Sequence, residues 1–342
     1  MISAKVVADS INKFGNRLTT LEVIMPRYIL AEFNTHRMFS RNSASSRAIR
    51  FETMVKSIQE NPFIPYAWQK DHSGMQGSEY FTIEEERENS LVGNWLMAST
   101  KAITAAKGLN SDGVTKQLCN RLLEPFMYHK VLVTATEWEN FFELRCPQYN
   151  TPNGLFKTRN KAINNLQLPN SNKFQCPTYN DVLGWLQINQ GQADIHMMFT
   201  AESIYDAINE STPKLLKEEE WHLPYGDVID KDYLKQEFLS HNKDSLVTED
   251  VINEAIRKIS IVRCARVSYH IAGKEQAIDY KADLELYDRL VNSKHASPFE
   301  HIARNMTQEE RNYHIKQEGD NIEYGWSRNF KGYLQYRELI NL

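Results

Sequence analysis

Leu21-Glu22-Val23-Ile24-Met25-Pro26, followed closely by Thr35-His36-Arg37-Met38-Phe39-Ser40-Arg41-Asn42-Ser43-Ala44-Ser45-Ser46-Arg47, is the stretch that decides how this chain is read. The first part is apolar with β-branched residues, the pattern of a core strand. The second carries three guanidiniums, one imidazole, four serine hydroxyls and an amide, and no carboxylate. Guanidinium forks bind planar anionic or carbonyl-rich ligands in two-point contacts, and small hydroxyl side chains let a ligand approach the backbone. Taken alone, such an Arg/Ser stretch reads as a solvated basic loop. Delivered by a core strand, it reads as a site loop, and a nucleotide is its candidate ligand.

Outward from this point the pattern is mixed. Val6-Val7 and Thr19–Met25 predict strands, with Pro26 at a helix start. Residues 53–60 and 93–107 read as helices, the latter with Trp95, Leu96, Ala102, Ile103 and Ala106 at helical spacing. The Gly-containing polar segment 70–80 reads as a loop, and Asp112-Gly113 as a turn before a helix over 115–124. Residues 131–136 predict a strand by β-branching, and 137–145 a helix carrying Trp138, Phe141, Phe142 and Leu144, which read as core. Residues 146–180, rich in Asn, Pro and Gln, read as a long loop or insertion. Helices are expected over 193–208, 248–258 and 280–293, with a strand at Ile259–Cys264. No internal repeat or heptad array is present.

The chain has 342 residues, 41% of them apolar, with a net charge of −4 and a pI near 6.2. That length and composition suffice for a sizeable core. The acidic balance argues against an extended nucleic-acid surface, which needs a basic excess. A local cluster such as Arg37/Arg41/Arg47/Arg50 is compatible with a small anion. The four cysteines (Cys119, Cys146, Cys176, Cys264) are far apart, without a C-x-x-C pair, and read as reduced packed thiols. No apolar run approaches membrane-spanning length and the N-terminus lacks an export pattern, so the expected location is cytoplasmic and no membrane partner is expected.

Several chemistries are disfavoured. Neither G-x-G-x-x-G nor G-x-x-x-x-G-K-[ST] occurs, so no Rossmann or P-loop site is signalled. The spacing of His295 and His301 matches no common zinc site, and no metal is expected. Ser45 lacks the flanking glycines of a hydrolase elbow. Arg145, ending an aromatic helix, has a structural explanation in the helix dipole.

The stretch 36–47 resembles the R-H-R-x-x-S-x-N-E-x-S-x-R-Y signature of the flavin-dependent thymidylate synthases, the ThyX family. His36, Arg37, Ser40, Asn42, Ser45 and Arg47 fall in register. Three further segments are similar to family motifs. His295-Ala296-Ser297-Pro298-Phe299-Glu300-His301 resembles H-x-[ST]-P-F-E-H, and Ala265-Arg266-Val267-Ser268 resembles A-R-V-S. The stretch from Asn120-Arg121-Leu122-Leu123-Glu124-Pro125 to Phe141-Phe142-Glu143-Leu144-Arg145 resembles A-R-x-x-L-P, a strand, and N-x-R-S-L-x-N-F-L-x-L-R. In the family, A-R-V-S and S-P-F-E-H precede R-H-R; here they come after it, which reads as a circular permutation. Permutation is tolerated where chain ends lie close together on a surface.

The resemblance implies an α/β (α+β) fold of the ThyX type over 1–342, with insertions at about 60–90, 146–192 and 212–258. Its parts are an R-H-R-like segment (1–58), a central α/β part (93–210), a joining segment (212–258) and the A-R-V-S and S-P-F-E-H segment (259–342). It implies FAD as cofactor, methylene-tetrahydrofolate and NADPH as co-substrates, a deoxypyrimidine monophosphate as substrate (dUMP by default, giving dTMP), and a homotetramer with sites between subunits. Carried residue by residue, His36, Arg37, Asn140, Ser268, His295, Ser297 and Glu300 belong to the flavin side. Ser45, Arg47, Arg121, Arg145 and Glu32 belong to the nucleotide, with Arg145 as the catalytic group that stabilises the ionised ring. Guanidiniums facing ring oxygens can stabilise the charge that C5 alkylation requires, while the reduced flavin carries the hydride chemistry.

The departures bear on substrate. Thr35, Ser43, Ala48 and Glu32 replace the family's Arg, Glu, Tyr and Gln, and Thr134 and Thr136 replace its Asn and Arg. A carboxylate at position 32 can accept from a cytosine amine, so dCMP, or a hydroxymethyl product, is the alternative. A nonenzymatic nucleotide- or flavin-binding protein is a third, since a fold does not fix a function.

Overall fold

A computed structural model of the chain describes residues 1–73, 77, 79–151, 154–161, 193–241, 248–267, 279–318 and 330–340. At its centre, β1 (Ser3–Asn12) and β2 (Arg17–Pro26) form an antiparallel hairpin. The Asn12 Oδ1 accepts from the Phe14 and Asn16 amides, and Gly15, at φ +81°, supplies the left-handed residue that the turn needs. β3 (Ser40–Ser43) and β4 (Tyr128–Ala135) run antiparallel on the other side of β2, with β4 in the middle. β7 (Lys214–Leu216) joins the β1 edge in parallel, which completes a five-stranded sheet in the order β3-β4-β2-β1-β7.

Both faces of the sheet are covered. On one, Leu21, Val23 and Met25 of β2 and Val131 and Val133 of β4 pack against Trp138, Phe141 and Phe142 of the Glu139–Arg145 helix and Met197, Ala201 and Ile204 of the Ile195–Glu210 helix. Full burial of each such side chain contributes about 1.5–3 kcal/mol. On the other face, Leu132 meets Ile261, Val262 and Cys264 of the Glu249–Arg266 helix, with Tyr287, Phe299 and Ile302. A third core unites Phe51, Met54, Val55 and Ile58, at helical spacing on Phe51–Glu60, with Ile103 and Ala106 of Leu91–Ser111. The chain is thus an α/β protein with helices on both faces of a mixed sheet.

A small sheet of β8 (Trp221–His222), β9 (Ala303–Asn305) and β10 (Tyr333–Gln335) lies beside it, and β5 (Tyr149–Thr151) pairs with β6 (Gly154–Phe156). The segment 212–258 therefore supplies a strand to each of the two larger sheets.

The expected strand at Ile259–Cys264 is instead the last part of the Glu249–Arg266 helix. Its β-branched run favours a strand locally, but Ile252, Ala255, Ile256, Ile259 and Val262 are buried at helical spacing. Continuous packing of that stripe overrides the local preference. The helix expected over 115–124 divides into Lys116–Cys119 and a 3-10 segment Asn120–Phe126 that carries Pro125, which cannot donate within an α-helix. Pro26 ends β2 and opens the 3-10 turn Arg27–Ile29, continued by the short helix Leu30–Phe33. Among the described residues no helix is long and apolar enough to cross a membrane. Cys119, Cys146 and Cys264 are buried free thiols; Cys176 lies outside the described residues.

Candidate functional site

Strand β2 delivers the chain at Pro26 to the Leu30–Phe33 helix, and the loop after it returns as β3 on the edge of β4. Asn42, buried on β3, donates through Nδ2 to the Cys264 carbonyl at 2.7 Å, one residue before the A-R-V-S-like segment. β3 also packs on the 3-10 turn Ser297–Glu300. Gln335 Nε2 bridges the two, donating to Ser40 Oγ at 3.1 Å and to the Glu300 carbonyl at 3.2 Å. Three segments remote in sequence therefore meet at one sheet edge.

Three polar side chains converge beside this edge. Arg145, the last residue of its helix, donates from Nη1 to Glu32 Oε1 at 2.5 Å and from Nε to His36 Nε2 at 3.0 Å. Since Nε2 accepts, the neutral His36 ring carries its proton on Nδ1. His36 lies edge-on to Phe141 and beside Phe39. Burial, then the charges of Arg145 and Arg41, push its pKa down to about 4. Burial raises the Glu32 carboxyl from its ordinary value; Arg145 opposes the rise and Asp194 adds to it. Arg41 donates to the His36 carbonyl at 3.3 Å and faces the charge of Glu300, which pairs with Arg337.

Beneath the sheet runs a buried chain of neutral polar groups. The Ser10 hydroxyl lies 2.9 Å from His222 Nδ1, His222 Nε2 lies 2.8 Å from the Thr20 hydroxyl, and that hydroxyl is 2.7 Å from the Thr134 hydroxyl. Thr134 in turn lies 2.8 Å from His301 Nδ1, while His301 Nε2 is buried without a hydrogen-bond partner among the described residues. Burial pushes both imidazoles down to about 3. This chain ties the last residue of the S-P-F-E-H-like segment to the two central strands.

The far end of the loop docks elsewhere. Asn120 Nδ2 donates to the Ser46 and Ile49 carbonyls at 2.7 and 3.0 Å, and Ser46 donates to Glu124. Glu124 also faces Arg27 at 3.5 Å, and Arg27 lies 3.0 Å from His129 Nδ1. Ser45, Arg47 and Arg121 stand at this end, and both guanidiniums are exposed without a partner among the described residues.

No family model matches the chain, and no curated protein matches its sequence. Among solved structures, the chain is similar to a UMP/dUMP methylase PolB from Streptomyces cacaoi, bound with 5-Br UMP or with 5-Br dUMP. Identity is 15% and 14%, with a TM-score of 0.33 in both cases. The shared part covers 43% and 44% of this chain and 77% and 80% of that chain. A likeness this loose leaves the function to be argued from the chain's own residues.

Of the residues expected at the site, Glu32 and His36 each contact Arg145, and the turn that carries Ser297 and Glu300 lies against β3. Arg37 is exposed at the start of the loop, and Asn140 is exposed on the first turn of the Glu139–Arg145 helix. His295 is exposed whereas His301 is fully buried, so the two imidazoles face different surroundings. Ser268 lies outside the described residues. No hydrogen bond or ion pair among the described residues joins Arg47 or Arg121 to Arg145, and the Arg37/Arg41/Arg47/Arg50 cluster is spread along the loop.

Sequence reasoning missed Tyr28, Asp194, His196 and Gln335. Two signals were present: Tyr28 stands four residues before Glu32, and Asp194-x-His196 opens a helix, where an Asp caps and fixes the first turn.

Proposed function

We propose that the chain is a flavin-dependent enzyme that transfers a one-carbon unit from methylene-tetrahydrofolate to a deoxypyrimidine monophosphate, with NADPH as reductant. The observation that carries this reading is the junction made by Asn42 with Cys264 and by Gln335 with Ser40 and Glu300. It joins at one edge the segments whose resemblance to ThyX motifs implies a common site. The junction is what a permuted member of that family requires, since permutation leaves the packed core in place while sequence order changes.

The residues present fit FAD by their chemistry. Arg37 is an exposed guanidinium with no partner among the described residues, suited to a diphosphate. His36, His295, Ser297, Glu300 and Asn140 would complete the flavin side, and the bound flavin would supply the hydride chemistry. Arg145 keeps its Nη2 without a partner among the described residues while Nε and Nη1 hold His36 and Glu32. That fixed direction would let it stabilise negative charge developing on a pyrimidine ring. His36, neutral at physiological pH, accepts from Arg145 without competing for its charge. Arg47 and Arg121 are exposed at the other end of the loop, where Ser45 is half-buried. In a homotetramer they would complete the phosphate end of a neighbouring copy's site.

The test is the absorption spectrum of purified chain incubated with FAD, and then its titration with dUMP. An oxidised-flavin band that dUMP perturbs is expected, with Arg37→Ala weakening FAD retention. A chain that takes up no FAD refutes the proposal.

A further inference from the structure

Tyr28, His196 and Asp194 form a hydrogen-bonded array outside the residues so far given a role. His196, buried on the first turn of the Ile195–Glu210 helix, accepts at Nε2 from the Tyr66 amide at 2.9 Å. Its proton in the neutral form is therefore on Nδ1. Nδ1 faces both the Tyr28 hydroxyl and, at 3.1 Å, Asp194 Oδ1. Asp194 is itself fixed as the helix cap, accepting from the His196 amide at 2.8 Å and the Met197 amide at 3.3 Å.

The array opens toward Glu32. Tyr28 lies one helical turn before Glu32, on the same side of its segment, and is 40% exposed. The carboxylates of Glu32 and Asp194 both oppose ionisation of the Tyr28 phenol, and Asp194 acts on Glu32, which sets the three in one neighbourhood. His196 is 4% exposed and the Asp194 side chain 40%, so a buried imidazole backs two groups that a ligand can reach. With its oxygen facing the imidazole Nδ1–H, the Tyr28 hydroxyl has, among the described residues, only a long contact for its own proton, to Asp194 Oδ1 at 3.4 Å. That proton is available to a better acceptor. Burial, with Asp194 and Glu32, keeps the phenol protonated, so it acts as a donor.

We propose that Tyr28 is a specificity-determining residue of the pyrimidine site, donating to the ring carbonyl, with His196 and Asp194 as its positioning residues. This rests on the reading of the site given above. Arg145 Nη2, Glu32 and Tyr28 then offer a donor, an acceptor and a donor. An imide edge, carbonyl–NH–carbonyl, is their complement; a cytosine edge meets a donor with its own amine. The carboxylate at position 32, which read alone favours a cytosine amine, thus reads a ring N–H once its neighbours are counted.

The experiment is calorimetric titration of the FAD-loaded chain with dUMP and dCMP, in wild type and in Tyr28→Phe, His196→Asn and the double variant. Wild type is expected to prefer dUMP. Tyr28→Phe is expected to weaken dUMP about tenfold, one hydrogen bond, and to leave FAD affinity unchanged. The double variant is expected to lose little beyond Tyr28→Phe, because His196 acts through the phenol. Dichroism and thermal midpoints on the Phe variant, which lacks a single oxygen, report whether it folds. Tight dUMP binding that Tyr28→Phe leaves intact, or a wild-type preference for dCMP, overturns the role of Tyr28 alone. A wild-type chain that binds neither nucleotide overturns the reading of the site itself, and this inference with it.

Discussion

Replacing Thr134 with Val tests whether the buried polar chain holds the C-terminal motif to the sheet. Thr134 is fully buried, and Val preserves its shape, so no cavity opens. The variant loses contacts of 2.7 Å to Thr20 and 2.8 Å to His301. Thr20 keeps its 2.8 Å partner in His222. Among the described residues His301 keeps no partner, because its other nitrogen already has none and the residue is 0% exposed. Two neutral hydrogen bonds at about 0.5–1.5 kcal/mol each, with an imidazole left unsatisfied at about 1–3 kcal/mol, overlap to a net loss of about 2–4 kcal/mol. Urea unfolding monitored by tryptophan fluorescence measures it, with Thr134→Ser as the variant that retains the hydroxyl. A Val variant within about 0.5 kcal/mol of wild type, the range of an ordinary surface change, refutes the reasoning.

Three further outcomes are expected. Arg145→Ala removes a nearby cation from His36, so the imidazole midpoint should rise from about 4 toward its ordinary value, though burial limits the rise; proton NMR of the ring reads this, and an unmoved midpoint counts against the contact. The same variant should weaken dUMP binding by about tenfold or more, one charge-assisted contact. Stability should fall in acid, since His129, His222 and His301 are held down to about 3 and His36 to about 4, below the ordinary 6.5. In that window the unfolded chain binds more protons, so stability rises with pH and is complete above about 6.5; denaturation midpoints equal at pH 4 and pH 7 would contradict it.

The sequence carried most of the sheet and little of the site's wiring. β2 and β4 were readable because their apolar, β-branched residues serve strand propensity and core packing at once. Residues 259–264 misled because the same β-branched residues also lie on a helical stripe that begins at Ile252, and periodicity over the longer window decides between them. Glu32, His36 and Arg145 could be named from motif register, but their mutual pairing depends on a helix returning from more than a hundred positions away. Tyr28 and His196 had no such register. Their association comes from the approach of the Ile195–Glu210 helix to the Arg27–Ile29 turn, which no local pattern encodes.

The joining of distant segments has a temporal consequence for a chain made from its N-terminus. Asn42 waits for Cys264, 222 residues later, Thr20 for His222, 202 later, and Ser40 for Gln335, 295 later. At about 5–20 residues per second the first of these intervals lasts about 10–45 s. From the completion of β4 until the Glu249–Arg266 helix is made, the face of β4 around Leu132 lacks its cover, and the β3 edge lacks its turn. Contacts of such long range also make the final collapse slow. A nascent chain stalled before residue 249 carries the complete arginine-rich loop but neither the helix nor the turn that packs beside its strand, and is in that state a target for chaperones and proteases.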